Sequence, residues 1–195
     1  SDHRPSNTGT IYSDDGGRTW LPGAITARHG QMLVNPSENV LVELSDGSVM
    51  VNIRSESPEH RRTVAISPDG ISNWSKLQWA EDLWEPVCHA GLTRLAGVPG
   101  YEKTLLFSNP DTAHKPEPRN ALNFCARENL TVRLSLDEGR TWTAKRVIEP
   151  GPSGYSALAS APDGTIWCAF EHRIGDGPSN ISVAAFNLAW VLQGE

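Results

Sequence analysis

The sequence contains few cysteines, no long apolar run and no excess of positive charge. Among its 195 residues are three cysteines, Cys88, Cys125 and Cys168, which are widely spaced. An odd, sparse set supplies neither a disulfide framework nor the ligand spacing of a zinc site, so small buried thiols are predicted. No apolar run approaches the roughly 18 residues that a membrane span requires. The formal net charge of −6 argues against a surface for nucleic acid or anionic membranes.

Long helices and metal ligands are also not indicated. No stretch keeps a helical period of apolar residues for three turns. The histidines show no metal-ligand spacing. For His89 two interpretations are open, a residue that faces a site and a hydrogen-bonded core histidine, and the second is favoured. The six histidines are His3, His29, His60, His89, His114 and His172.

What the sequence does contain is a short motif that occurs twice. Residues 13–20 and 135–142 both read Ser-x-Asp-x-Gly-x-Thr-Trp, and residues 67–74 form a decayed third copy. Ser and Asp side chains bond nearby backbone N–H groups and Gly adopts positive φ, so the motif predicts a turn. The Trp is expected to fold back onto the flanking strands. Recurrence of such a motif indicates a repeat architecture.

Most of the remaining chain is typical of short strands punctuated by turns. Two hairpins are predicted over residues 40–53 and 155–170, each with Asp-Gly at its turn. Fourteen prolines and seventeen glycines fit turn-rich β structure. Further strands are predicted at residues 62–66, 104–107, 130–134 and 181–188.

These patterns predict an all-β fold. Antiparallel meanders joined by a repeated turn are typical of a β-propeller, in which each blade is a four-stranded sheet. At about 40–50 residues per blade, the chain supplies about four blades. A β-sandwich is the alternative, and the repeated motif argues against it. Long polar loops at residues 108–129 and 171–180 are expected at the blade ends, where function usually lies.

The chain resembles the C-terminal half of an exo-α-sialidase (neuraminidase), and the repeated motif resembles the Asp box of that family. Asp boxes also occur in unrelated propellers, so the segments between them carry the resemblance. In residues 38–54 a Glu precedes a hairpin that ends in Asn-x-Arg, as in a family segment. The other matching segments are residues 85–88, 106–110, 127–135, 151–156, 170–171 and, as the last strand, 185–190. The resemblance implies an incomplete arc of a six-bladed propeller.

The resemblance also assigns roles. Tyr155 matches the catalytic tyrosine and Glu38 the catalytic glutamate. Arg54 and Arg127 match two arginines of the triad that grips the substrate carboxylate, and Glu171 matches a glutamate that steadies an arginine. The implied reaction is hydrolysis of terminal α-linked sialic acids from glycoconjugates with retention, with a sialylated glycan as substrate and no cofactor or metal. Where the family usually has Gln and a polar residue, this sequence has His89 and Ala157.

These residue types suit the chemistry. Arginine forks bind a carboxylate such as the one on the anomeric carbon of a sialoside. A neutral phenol avoids repulsion with that carboxylate, and sialidases use Tyr where most retaining glycosidases use a carboxylate nucleophile. At its usual pKa of about 10 a phenol needs a base in contact, which is the role implied for Glu38. Taken singly, Tyr155 would be a packing residue and each arginine a surface charge.

Two parts of the family's site have no match in the sequence. Arg4-Pro5 lacks the aromatic residue and the Ile of the first triad arginine's motif, and Asp14 and Asp15 belong to an Asp box rather than supplying the acid/base Asp. We therefore expect a fragment of a longer enzyme that lacks its N-terminal blades and has low activity alone. Two alternatives are open: a non-catalytic sialic-acid-binding module, and a structural Asp-box propeller in which the four matching residues do not converge.

Overall fold

The computed structural model describes residues 4–113, 125–173 and 179–194. In these residues the fold is all-β, with twelve strands in three antiparallel sheets and one short helix. The elements are β1 (Thr8–Tyr12), β2 (Leu21–Ala27), β3 (Asn39–Glu43), β4 (Val49–Ile53), β5 (Arg61–Ser67), β6 (Gln78–Trp84), β7 (Gly91–Arg94), β8 (Leu105–Pro110), β9 (Glu128–Ser135), β10 (Ala144–Ser160), β11 (Ile166–Arg173), β12 (Ser179–Phe186) and α1 (Leu188–Leu192).

The strands follow one another as meanders. Strands β1 and β2 form a hairpin, β3 to β6 form a four-stranded sheet, and β7 to β12 lie in sequence order in a third sheet. Strand β10 is long and bends between two partners, since Ala144 pairs with Leu134 of β9 whereas Ser160 pairs with Ile166 of β11. It thus ends one four-stranded blade and begins the next. The described residues form two complete blades between two partial ones, which confirms the predicted incomplete β-propeller.

The two predicted hairpins are present, as are the strands at residues 62–66, 104–107 and 130–134. The predicted final strand is wrong at its end. Strand β12 stops at Phe186, and Asn187 caps α1 by accepting a 2.9 Å hydrogen bond from the Trp190 backbone N–H. The bounds of the two predicted loops are wrong, since β8 extends to Pro110, β9 begins at Glu128, β11 extends to Arg173 and β12 begins at Ser179. Within them, residues 114–124 and 174–178 lie outside the described residues.

All three motif copies form a turn between consecutive strands, which in the two complete blades are the third and fourth strands. In the first, Asp15 Oδ1 accepts hydrogen bonds from Ser13 Oγ at 2.8 Å and from the Thr19 N–H at 2.9 Å. These bonds hold the pKa of Asp15 at about 2. In the decayed copy Ser67 Oγ likewise donates to Asp69 Oδ1 at 2.8 Å, but the backbone donors are the N–H groups of Ile71 and Ser72.

The tryptophans of the three turns behave differently. Trp142 lies edge-on against Phe107, with ring centroids 5.7 Å apart, and Trp74 packs against a buried cluster. Trp20 is 58% exposed, so the expectation that each Trp folds back is wrong for the first copy. That copy belongs to the two-stranded hairpin β1–β2, which offers less surface to cover the ring.

The hydrophobic core lies mainly between successive blades. One cluster joins Met50 and Leu83 of the β3–β6 blade to Phe107 of the next blade. A second joins Leu106 of that blade to Ile166 of the last blade and to α1. All three cysteines are buried thiols, as predicted. Among the described residues, no helix is long and apolar enough to cross a membrane.

Candidate functional site

Three of the predicted site residues are in direct contact. The Tyr155 hydroxyl donates a 2.6 Å hydrogen bond to Glu38 Oε1. Arg54 Nη1 donates to the same hydroxyl oxygen at 3.1 Å and also to Glu38 Oε2. Glu38 and Arg54 flank the β3–β4 hairpin and are joined by an Arg54 N–H to Glu38 carbonyl bond of 3.1 Å. The hairpin therefore presents a carboxylate and a guanidinium side by side to a tyrosine from another blade.

The other two predicted residues, Arg127 and Glu171, contact the ring and the backbone of Tyr155. The Arg127 guanidinium carbon is 5.5 Å from the centroid of the Tyr155 ring, within the range of a cation–π contact. Arg127 Nη2 also donates a 2.5 Å hydrogen bond to the Val87 carbonyl. Glu171 Oε2 accepts from the Tyr155 backbone N–H at 3.2 Å. Of the four other predicted residues, three thus contact the side chain of Tyr155 and Glu171 contacts its backbone, whereas the structural alternative predicts no such convergence.

The local backbone explains how Tyr155 reaches this position. The pairing of β10 with β11 is regular from Ser156 to Ser160 but shifts in register between Ser153 and Ser156. Such an irregularity adds a residue on one strand and re-aims the side chains beside it. Tyr155 lies within the irregular stretch of β10. Its side chain there reaches Glu38, the residue immediately before β3.

The electrostatics favour a charged Glu38 and a neutral Tyr155. Burial opposes ionisation of Glu38, but hydrogen bonds from Tyr155 and Arg54 outweigh it and lower the pKa of the carboxyl group below its ordinary 4.5. Burial, together with the hydrogen bond to Glu38, raises the pKa of Tyr155 above its ordinary 10.0, although Arg54 acts in the opposite direction. The resting pair is therefore a phenol that donates to a carboxylate.

His89 lies beside Tyr155, which is the interpretation that the sequence analysis ranked second. Its ring is only partly buried and lies tilted against the ring of Tyr155, with centroids 5.5 Å apart. The prediction of a hydrogen-bonded core histidine is therefore wrong, and the alternative, that His89 faces the site, holds. Burial lowers the pKa of His89 below its ordinary 6.5, while the charge of Glu38 acts in the opposite direction.

Two cavities share Glu171 in their walls, and Tyr155 lines the second of them. One has a volume of about 300 Å³ and a polar lining. The other has a volume of about 210 Å³ and a mainly apolar lining. This lining includes Ala157, which stands where the family usually has a polar residue. The first is lined by Arg127, Pro152, Ser153, Gly154, Glu171, His172 and Arg173, and the second by His89, Tyr155, Ser156, Ala157, Ala169, Phe170, Glu171 and Ile181.

Metal ligands are not assembled in the part of the chain that the structure describes, where no group of three or more His, Cys, Asp or Glu side chains could hold an ion. His3 and His114 lie outside the described residues.

The successive blades, the Asp-box turns and solved relatives define a β-propeller of the sialidase type. The fold matches the Hadza microbial sialidase Hz136 with a TM-score of 0.74 and 28% identity, covering 94% of this chain and 32% of that one. It also matches the intramolecular trans-sialidase of Ruminococcus gnavus with a TM-score of 0.70 and 19% identity, covering 95% of this chain and 39% of that one. At that identity the second match concerns the fold alone.

The BNR repeat-like domain model matches residues 4–168, so the chain belongs to that family. Among curated relatives, the sialidase of Micromonospora viridifaciens is 36% identical over 187 residues, covering 93% of this chain and 25% of the relative. Human Sialidase-4 is 40% identical over 75 residues, covering 35% of this chain and 16% of the relative. The chain spans about a quarter of the length of the curated relatives that it matches over most of its own.

Proposed function

We propose that the chain carries the nucleophile pair and part of the carboxylate clamp of an exo-α-sialidase, which hydrolyses terminal α-linked sialic acids with retention. The observation that carries the proposal is the 2.6 Å hydrogen bond from the Tyr155 hydroxyl to Glu38. A phenol is a weak nucleophile at its usual pKa, and a carboxylate in contact with it is the base that such a nucleophile needs. The family's sialidase relatives and the two arginines beside the phenol add support.

In the proposed reaction the phenolic oxygen of Tyr155 attacks the anomeric carbon. As that bond forms, Glu38 accepts the phenolic proton and the bond to the departing sugar breaks. Arg54, which contacts both partners, stabilises the negative charge that develops on the phenol oxygen. The departing oxygen takes a proton from an acid, for which this sequence has no match. Water then attacks the anomeric carbon and gives its proton to the conjugate base of that acid. The bond between the anomeric carbon and the Tyr155 oxygen breaks, sialic acid is released, and Glu38 returns its proton to the phenolic oxygen.

The substrate carboxylate would lie against the guanidinium groups of Arg54 and Arg127. Both approach Tyr155, one by a hydrogen bond to the hydroxyl and the other over the ring face. Glu171, which accepts from the Tyr155 N–H, would order this side of the site. Because the chain spans about a quarter of its curated relatives, we expect turnover by the chain alone to be far below that of a complete enzyme.

A second candidate is a module that binds sialic acid without cleaving it. It is favoured by the lack of a match for the acid and by a resting pair in which the phenol is neutral, since its raised pKa opposes formation of the nucleophile. Two guanidinium groups beside Tyr155 suffice for binding a carboxylate.

One experiment separates these candidates. Turnover of a fluorogenic α-sialoside and binding of a non-hydrolysable sialic acid analogue are measured for the wild-type chain, Tyr155→Phe and Arg127→Ala. Tyr101→Phe, in a partly buried tyrosine that packs against the second core cluster, is the matched control. Turnover lost in Tyr155→Phe with binding retained supports the sialidase. Binding without turnover, lost in Arg127→Ala, supports the binding module. The absence of both in the wild-type chain would contradict the proposal.

A further inference from the structure

The segment from Glu85 to His89, which joins β6 to β7, combines deep burial with a strained backbone. Glu85, Val87 and Cys88 are fully buried. Val87 has φ +64°, a left-handed conformation that a β-branched residue rarely adopts. Strained backbone of this kind costs free energy and persists only where the surroundings over-determine it, which is common at functional sites.

A buried ion pair holds this segment. Arg62, on β5 and fully buried, donates from Nη1 to Glu85 Oε2 at 2.5 Å and to the Cys88 carbonyl at 3.2 Å. Glu85 Oε1 accepts the Cys88 N–H at 3.0 Å, so the pair bonds both backbone groups of the residue that follows Val87. Arg62 Nε donates to Asn52 Oδ1 at 2.6 Å, which fixes the guanidinium against β4.

The same segment contacts the site at two points. The Val87 carbonyl accepts the 2.5 Å hydrogen bond from Arg127 Nη2. His89 lies against the ring of Tyr155 at 5.5 Å. The direction in which the Val87 carbonyl points depends on the left-handed φ of that residue, because a rotation about the backbone turns the peptide plane with it. The backbone conformation that the ion pair holds therefore sets the position of the Val87 carbonyl oxygen, which accepts the hydrogen bond from Arg127.

We propose that the Arg62–Glu85 pair is a positioning device for the site: it holds Val87 in its strained conformation and thereby aims Arg127 and His89 at Tyr155. The inference rests on the proposed function in taking Arg127 as a ligand of the substrate carboxylate. Stability alone is a poor reason for such a pair, since apolar replacements of buried ion pairs are often neutral or stabilising. Positioning gives the fully desolvated charges a role, because Arg62 bonds the carbonyl of Cys88 and Glu85 bonds its N–H.

The test compares Glu85→Gln with Asp111→Asn. The control breaks another buried ion pair, in which Arg133 Nη2 lies 2.7 Å from Asp111 Oδ2. The first readout needs no ligand: hydrogen exchange of the Arg127 guanidinium, followed by NMR. The second is the dissociation constant of a non-hydrolysable sialic acid analogue. Glu85→Gln is expected to speed the exchange and weaken binding roughly tenfold or more, as misplacement of a clamping group does, and Asp111→Asn to change neither.

A double variant guards against loss of folding in Glu85→Gln, which leaves Arg62 unpaired. Arg62→Met combined with Glu85→Gln removes both charges, while the introduced amide oxygen can still accept the Cys88 N–H. It is expected to fold and still to speed exchange at Arg127. Unchanged exchange in a folded variant of either kind would overturn the positioning role, even if the wild-type chain binds the analogue. If the wild-type chain does not bind it, the proposed function fails, while the exchange data still decide the positioning role.

Discussion

The hydroxyl of Tyr155 lies 2.6 Å from Glu38 Oε1, although the two residues are 117 positions apart in the chain. Glu38 precedes the β3–β6 blade and Tyr155 begins the last blade, so the complete β7–β10 blade lies between them in sequence. The contact therefore depends on how three successive blades pack. The two core clusters that join these blades set the angles at which the loops meet. A site of this kind cannot form within one blade.

The first prediction concerns the charge of Glu38. Although burial opposes it, the hydrogen bonds from Tyr155 and Arg54 lower the pKa of Glu38 below 4.5. Arg54→Gln removes one of these bonds and the nearby positive charge while much of the burial remains, so we expect the pKa to rise. A carbon-13 NMR titration of the Glu38 carboxyl group measures it. Arg61→Gln, in an arginine that pairs with Glu81 near the surface, is the matched control and should leave it unchanged.

The sign of the accompanying stability change follows from linkage. Because the folded-state pKa of Glu38 is depressed, its contribution to stability is fully present above 4.5 and is lost as the pH falls through the folded-state value. Urea unfolding from neutral to acidic pH should therefore show a smaller loss of stability on acidification for Arg54→Gln than for the wild type. If the wild type and Arg54→Gln lose equal amounts of stability on acidification, or if the pKa of Glu38 does not rise in Arg54→Gln, this explanation is contradicted.

The second prediction concerns the space beside Tyr155. A Cβ at Gly154 would lie 2.5 Å from Glu171 Oε2, so Gly154→Ala must displace that carboxylate. Because the displaced atom is the end of a flexible side chain, we expect little loss of stability. The hydrogen bond from the Tyr155 N–H to Glu171 should be lost. Binding of a sialic acid analogue should then weaken by about tenfold, because small misplacements of positioning groups are costly.

Gly151→Ala is the matched control for that variant. Its Cβ would lie 2.9 Å from Glu149 Oε1, again the end of a flexible side chain, but one that accepts from Gly151 rather than from Tyr155. We expect near-normal binding. Equal losses of binding in the two variants, measured by isothermal calorimetry, would show that distortion of β10 in general, and not Glu171, accounts for the effect.

Local signals predicted much of the fold, because Asp-Gly turns and alternating strands depend on neighbouring residues. They did not reveal β7, which has only four residues, or β6, in which polar and apolar residues do not alternate. The five proposed site residues were found through the family resemblance. His89 was misjudged because its exposure depends on Tyr155, far along the chain. The left-handed backbone of Val87 was also missed, since a β-branched residue gives no sequence signal for positive φ.

The third prediction concerns the Asp box that follows β9. Asp137 accepts hydrogen bonds from Ser135 Oγ at 2.8 Å, the Thr141 N–H at 2.8 Å and Thr141 Oγ1 at 2.7 Å. The turn ends in Trp142, which packs on Phe107 of the core. Asp137→Ala should lower the free energy of unfolding by about 1–2 kcal/mol. Asp15→Ala removes an equivalent set of bonds but ends in the exposed Trp20, so a smaller loss is expected.

At acidic pH the wild type and Asp137→Ala should differ less in free energy of unfolding than they do at neutral pH. Although burial opposes it, hydrogen bonds from Thr141 lower the pKa of Asp137 below 3.8, so its stabilising contribution is present above that value and is lost as the pH falls through the folded-state pKa. Urea unfolding of both proteins at neutral and acidic pH measures the gap. If the difference in free energy of unfolding stays constant, the ionised carboxylate of Asp137 does not account for it. If Asp15→Ala is less stable than Asp137→Ala, the proposed coupling of the Asp137 turn to the core is contradicted.

The last prediction concerns the exposed face of β12. In the part of the chain that the structure describes, this strand is at the end of its sheet, and Ile181 and Val183 are 79% and 62% exposed on one face. An open strand edge with apolar side chains favours pairing with another chain, and a lysine there opposes it. We expect the chain to self-associate with rising concentration and Val183→Lys to reduce this in sedimentation velocity. Leu192→Lys, in the 44% exposed residue that ends α1, is the control and should sediment like the wild type. If both lysine variants reduce association equally, net charge rather than the strand edge is responsible.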